Sequence, residues 1–182
     1  LSTEDYETLR EKLPGCRILW NVPFQGGTVF SEEETLGITS LTAEDLPLLE
    51  YFPELKTLDA SGCEDYGNLL AFAEKYPQVQ LRYQVSLGTC DVENDAAALV
   101  LEDPSAEELQ QKLRWLPALK TLTLRGTLPE PEELEALQQS YPNLEILWEI
   151  PLEEAVLLSD TETLDLRDKT LSAEAVAELL RW

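Results

Sequence analysis

Three unrelated motifs recur in this chain with one shared spacing, and that spacing limits what the chain can fold into. Pro14-Gly-Cys-Arg-Ile-Leu-Trp20-Asn-Val22, Pro77-Gln-Val-Gln-Leu-Arg-Tyr83-Gln-Val85 and Pro142-Asn-Leu-Glu-Ile-Leu-Trp148-Glu-Ile150 each place an aromatic six residues after a proline and a β-branched residue two further on. Pro53-Glu-Leu-Lys-Thr-Leu58 returns as Pro117-Ala-Leu-Lys-Thr-Leu122, 64 residues later. Thr35-Leu-Gly-Ile38, Ala98-Leu-Val-Leu101 and Thr163-Leu-Asp-Leu166 each precede a Thr/Ser-Ala-Glu step. A period near 64 residues carried by independent motifs marks a repeat architecture. The repeat units run over about 1–63, 64–127 and 128–182, within one domain spanning 1–182.

Each motif alternates apolar and polar residues with the period of a half-buried strand. Leu36/Ile38, Leu58/Ala60, Leu99/Leu101, Leu122/Leu124 and Leu164/Leu166 form the inward sets, as do Val79, Leu81, Tyr83 and Val85. The same parity turns Trp20, Tyr83 and Trp148 into the core, and Cys16 reads as a small buried apolar residue. Strand centres near 19, 37, 58, 82, 100, 122, 147 and 165 are 18 to 25 residues apart. Helical patterns fall between them, near 3–13, 43–51, 65–75, 105–115, 131–140 and 172–182. Thr42 with Asp45, and Ser105 with Glu108, have capping-box spacing, and Pro131 suits a first helical turn. The stretches 23–34, 86–96 and 151–160 carry no helix signal and read as irregular loops.

Units of 18 to 25 residues are shorter than the roughly 30 or more of a strand–helix–strand crossover. Leu55-Lys-Thr-Leu58-Asp-Ala60 and Leu119-Lys-Thr-Leu122-Thr-Leu124 resemble the L-x-x-L-x-L core of leucine-rich repeats, and the proline-led segments are similar to divergent repeats of exported bacterial leucine-rich-repeat proteins. The resemblance implies an α/β leucine-rich-repeat solenoid: one mostly parallel sheet of about eight short strands, with helices on the convex side. It also implies an extracytoplasmic or cell-surface location. Ser172–Trp182 aligns with Ser105–Trp115, whose copy continues into another strand. The expectation is therefore a slice of a longer array, its last helix left with an open apolar side or paired with a second molecule.

Composition narrows the function classes. Thirteen Lys and Arg against 36 Asp and Glu give a net charge of −23, which opposes binding to nucleic acid or to an anionic membrane surface. Histidine is absent, removing the commonest general base and the commonest metal ligand. No apolar run approaches the roughly 18 residues of a membrane span. Asp91, Glu93 and Asp95 lack the ligand number and glycine turn of a calcium loop. The expectation is no catalytic centre, no cofactor and no metal.

The outward strand positions remain as candidates for partner binding: Arg17, Asn21, Asp59, Arg82, Gln84, Glu102, Arg125, Glu145, Glu149, Asp165 and Arg167. Four of the 13 basic residues fall on this set, although cross-strand charge pairing alone also accounts for them. The expected function is a non-enzymatic module recognising a protein partner through a concave sheet face. The rival is a structural spacer or capping segment of a larger cell-surface protein.

Overall fold

A computed structural model describes residues 1–88, 90–152, 155–165, 167 and 171–181. The chain separates into two compact units, Leu1–Gln84 and Val85–Trp182. In the first, α1 (Thr3–Lys12) is followed by β1 (Asn21–Phe24), β2 (Gly27–Phe30) and β3 (Thr35–Gly37). A 3-10 helix (Leu46–Tyr51), β4 (Thr57–Asp59), α2 (Tyr66–Lys75) and β5 (Gln80–Arg82) complete it. Strand β6 (Gln84–Leu87) begins at the boundary. The second unit continues with β7 (Cys90–Glu93), β8 (Ala98–Glu102), α3 (Ala106–Lys112), β9 (Thr121–Arg125), α4 (Pro131–Ser140), β10 (Glu145–Leu152), β11 (Ala155–Leu158) and α5 (Ala173–Arg181).

The expectation of a single parallel sheet of about eight strands is overturned. Among the described residues the strands form four small sheets: β1–β2, β3–β4–β5, β6–β7 and β8–β9–β10–β11. Orientation is mixed. Strands β3, β4 and β5 run parallel, as do β8, β9 and β10, whereas β1–β2 and β10–β11 are antiparallel. The described strands do not make the one sheet of the expected solenoid.

The physical reason lies in segments that the sequence pattern read as loops. Residues 21–30 fold as a hairpin closed by Gln25 and Gly26, at φ 50° and 74°. Two consecutive left-handed residues make the two-residue turn whose twist matches its flanking strands. Equivalent hairpins stand at 84–93 and 149–158, so the hairpin itself repeats with the period. Each occupies hydrogen-bonding capacity that a parallel neighbour would need. In the first unit, the Ser31 amide donates to the Trp20 carbonyl (2.9 Å) and the Trp20 amide to Ser31 Oγ (3.3 Å). In the second, Ser159 and Trp148 make the same two bonds at 2.9 and 3.1 Å. The outer edge is thereby occupied at Trp20 and at Trp148, and in the first unit the next strand, β3, starts a new sheet.

Over the described residues, two expected strands do not form as read. Residues 17–20 are coil, the strand beginning only at Asn21, and 161–165 are coil as well. Leu164 is exposed rather than inward, and Leu166 lies outside the described residues. Cys16 is also exposed, contrary to its inward reading, because the alternating run that would bury it does not pair.

The parallel sheets align the expected residues in register, burying all but Leu81 and Leu99, which are half-buried. Leu36, Leu58 and Leu81 align across β3–β4–β5, and Leu99, Leu122 and Ile146 across β8–β9–β10. Leu58, Leu122 and Leu124 are fully inaccessible. Full burial of one such side chain contributes about 1.5–3 kcal/mol. Helices cover the inner faces through Leu69 and Phe72 of α2, Leu109 of α3, and Leu134 and Leu137 of α4.

Local chemistry sets where the helices start. Ser2 and Asp5 form a reciprocal capping box on α1. Ser105 Oγ accepts from the Glu108 amide, and Ser172 Oγ from the Ala175 amide, each satisfying an orphan N–H. Thr42 and Asp45 bond reciprocally as well, but Pro47 lies two residues on and only a 3-10 helix follows.

The aromatics expected in the core divide. Trp20 is buried, stacked on Tyr6 with ring centroids 4.5 Å apart and edge-on to Tyr51 at 5.3 Å. Tyr83 is 1 % exposed, and burial pushes its phenol up to about 12. Trp148 is only half-buried.

Candidate recognition surface

Parity along a strand sends alternate residues to opposite faces, so the face of each parallel sheet opposite its buried leucines is open. In the second unit this face has three rows. Ala98, Thr121 and Glu145 align in the first, and Val100, Thr123 and Leu147 in the second. In the third, Glu102 is in register with Arg125, and Arg125 Nε lies 2.6 Å from Glu149 Oε1. Thr121 Oγ1 donates to Glu145 Oε2 at 3.1 Å, tying the first row together. Val100 is 47 % exposed, and Thr123 and Leu147 are half-buried. The hairpin strand β11 adds exposed Val156 and Leu158, the latter in register with Glu149. A row of Val100, Thr123 and Leu147 between acidic residues, with Arg125 ion-paired to Glu149, is the chemistry of this face.

The first unit offers a smaller and more polar face. Thr35, Thr57 and Gln80 share one row, and Gly37, Asp59 and Arg82 the other. Asp59 accepts from the Ser61 hydroxyl (2.6 Å) and amide (3.1 Å), and those bonds hold its carboxyl below the usual carboxylate range. Arg82 reaches Gln80 Oε1 at 3.5 Å.

Of the eleven sequence-predicted residues, the second sheet therefore gathers Glu102, Arg125, Glu145 and Glu149, and the first gathers Asp59 and Arg82. The others lie apart from these sheets. Arg17 is on coil, ion-paired with Glu32 and with Glu54 (3.1 Å). Asn21 opens the β1–β2 hairpin. Gln84 opens β6 and is half-buried, its carbonyl accepting from the Tyr66 hydroxyl at 3.2 Å. Asp165 and Arg167 are exposed coil and pair with each other at 2.5 Å. Residues that charge-led reasoning passed over are Val100, Val156 and Leu158. The opposite parity of Val100 to Leu99 and Leu101 was the available signal for the first of them.

Asp91 accepts from Ser86 Oγ at 2.6 Å, a contact within the β6–β7 region. Among the described residues, no three Cys, Asp or Glu side chains converge as metal ligands, and no helix is long and apolar enough to cross a membrane. The three cysteines are free thiols, and burial pushes the Cys63 thiol up. Comparison with family models, with curated proteins and with solved structures returns no match to this chain.

Proposed function

We propose that this chain is a non-enzymatic recognition module, built from leucine-rich-repeat-like segments, that binds a protein partner on the open face of β8–β9–β10. The observation that supports it most is exposed Val100, in a row with half-buried Thr123 and Leu147 and flanked by Glu102, Glu145 and Glu149. An extended or helical segment bearing apolar residues beside Lys or Arg would match that face. The net charge of −23 favours such a partner by steering cationic segments toward the protein. The absence of histidine supports a binding rather than a catalytic role.

The test is a displayed peptide library selected on the wild-type protein and counter-selected on Val100→Glu and Thr123→Glu. Both substitutions lie on the open face and leave the leucine layer intact. The expected result is enrichment of peptides combining apolar residues with Lys or Arg, binding at least tenfold more weakly to either variant and more weakly as salt rises. Peptides that bind both variants as well as the wild type would refute the assignment of this face.

A further inference from the structure

The two units differ at one position in a way that opens a cavity. Helices α2 and α4 are each ten residues long and correspond at an offset of 65, so Tyr66 and Pro131 are equivalent first residues. Tyr83 and Trp148 correspond at the same offset. In the first unit the Tyr66 ring packs on Tyr83, centroids 5.9 Å apart, and Tyr83 is closed off from solvent. In the second unit the smaller Pro131 replaces that ring, and Trp148 is half-buried. The space between helix and strand is there a groove of about 470 Å³, walled by Pro131, Leu134, Ile146 and Trp148, with the carboxylates of Glu135 and Asp160 also lining it.

Its size falls in the range of small-molecule sites, which are mostly apolar with a few polar groups. The walls suit a flat apolar body, which gains contact area and favourable ring geometry against an indole. Both charged groups that line it are acidic, so a bound cation is favoured over a neutral or anionic analogue. A cation near the indole face gains further attraction from the ring quadrupole. We propose that this groove binds an aromatic ammonium compound, its ring against Trp148 and its amine toward Glu135 and Asp160. Of the open-face residues only Leu147 also lines the groove, and Val100 and Thr123 do not.

The test compares phenethylamine with its neutral analogue 2-phenylethanol and its anionic analogue 3-phenylpropionate, by calorimetry and tryptophan fluorescence at neutral pH. The expected result is saturable binding of phenethylamine, at least tenfold tighter than either analogue. Pro131→Tyr restores the ring present in the first unit and should abolish binding. Glu135→Lys with Asp160→Lys changes two exposed positions and should reverse the preference toward 3-phenylpropionate. It keeps the proposal testable if Pro131→Tyr fails to fold. Val100→Glu should leave phenethylamine binding unchanged. Equal binding of all three probes, binding undiminished by Pro131→Tyr, an unreversed preference in the lysine variant, or no saturation at millimolar probe would each overturn the proposal.

Discussion

Raising the pH should unfold this protein in part through one residue, Tyr83. Its side chain is 1 % exposed, so ionising it in place would put a phenolate where water cannot solvate it. Burial, with a smaller contribution from the neighbouring Tyr66, therefore raises its folded value from 10.0 to about 12. A phenol that ionises more readily when unfolded confers stability fully present below pH 10. That stability declines as the pH rises, until the folded value is passed. Across the whole window this amounts to roughly 3 kcal/mol, at 1.36 kcal/mol per pH unit. At pH 11 the unfolding constant should have risen about tenfold on account of this residue, a loss of about 1 kcal/mol. The assay is urea unfolding of the wild type and of Tyr83→Phe, at pH 8 and at pH 11. Groups remote from Tyr83 are common to both proteins, so the difference of differences isolates Tyr83 together with its coupling to Tyr66. The stability gap between them should shift by about 1 kcal/mol in favour of Tyr83→Phe at the higher pH. A gap that stays constant would refute the reasoning that burial of this phenol governs its titration.

Other expectations follow from packing and backbone geometry. Leu122→Ala, at a fully inaccessible position in the middle of β9, should cost about 2–5 kcal/mol in denaturant unfolding. Gly126 has φ +71°, and a Cβ there would stand 2.5 Å from Asp103 Oδ1. Gly126→Ala should therefore cost about 1–3 kcal/mol. Gly62→Ala, at the corresponding place, meets only Thr39 Cγ2 at 3.9 Å and should stay within about 0.5 kcal/mol of wild type. Asp103 accepts from the Thr127 amide at 2.7 Å, which holds its carboxyl below the usual carboxylate range. The stability it confers should be full above that range and lost as the pH falls through its folded value. An acid titration of Asp103→Asn should accordingly show a shallower decline.

Helices were the most legible part of this chain, because their ends are set by residues three positions apart. Ser105 with Glu108 announces its helix locally, though Thr42 with Asp45 has the same spacing and leads only to a 3-10 helix, and expected and observed boundaries for α1 to α5 differ by only a few residues. Strand faces were legible too, since the parity that places Leu58 and Leu122 inward is a property of each strand alone. Which strand pairs with which is not such a property. The pattern could not register that Ser31 and Ser159 would cap the edges of Trp20 and Trp148, because those bonds span eleven residues of apparent loop. Gln25-Gly26 was a readable turn signal, but it sat in a segment judged only for helical period. The open face of β8–β9–β10 was half legible: charge alternation picked out Glu102, Arg125, Glu145 and Glu149, while attention to charge hid Val100. The groove beside Trp148 was not legible at all, since it comes from the exchange of Tyr66 for Pro131 between corresponding helices, visible only once both helices are in register.

The recurring hairpin also bears on how such a chain can change in length. A duplication or deletion of 63 to 65 residues with both breakpoints in these hairpins would join one turn to its counterpart. Every strand on either side would keep its phase, and every leucine its side of the sheet. Breakpoints one strand step apart would instead leave a three-strand sheet with two or four members, and set a capping serine against the wrong strand edge. Length variants of this chain that fold should therefore differ by whole multiples of the long period, with their junctions in the hairpins rather than in the helices.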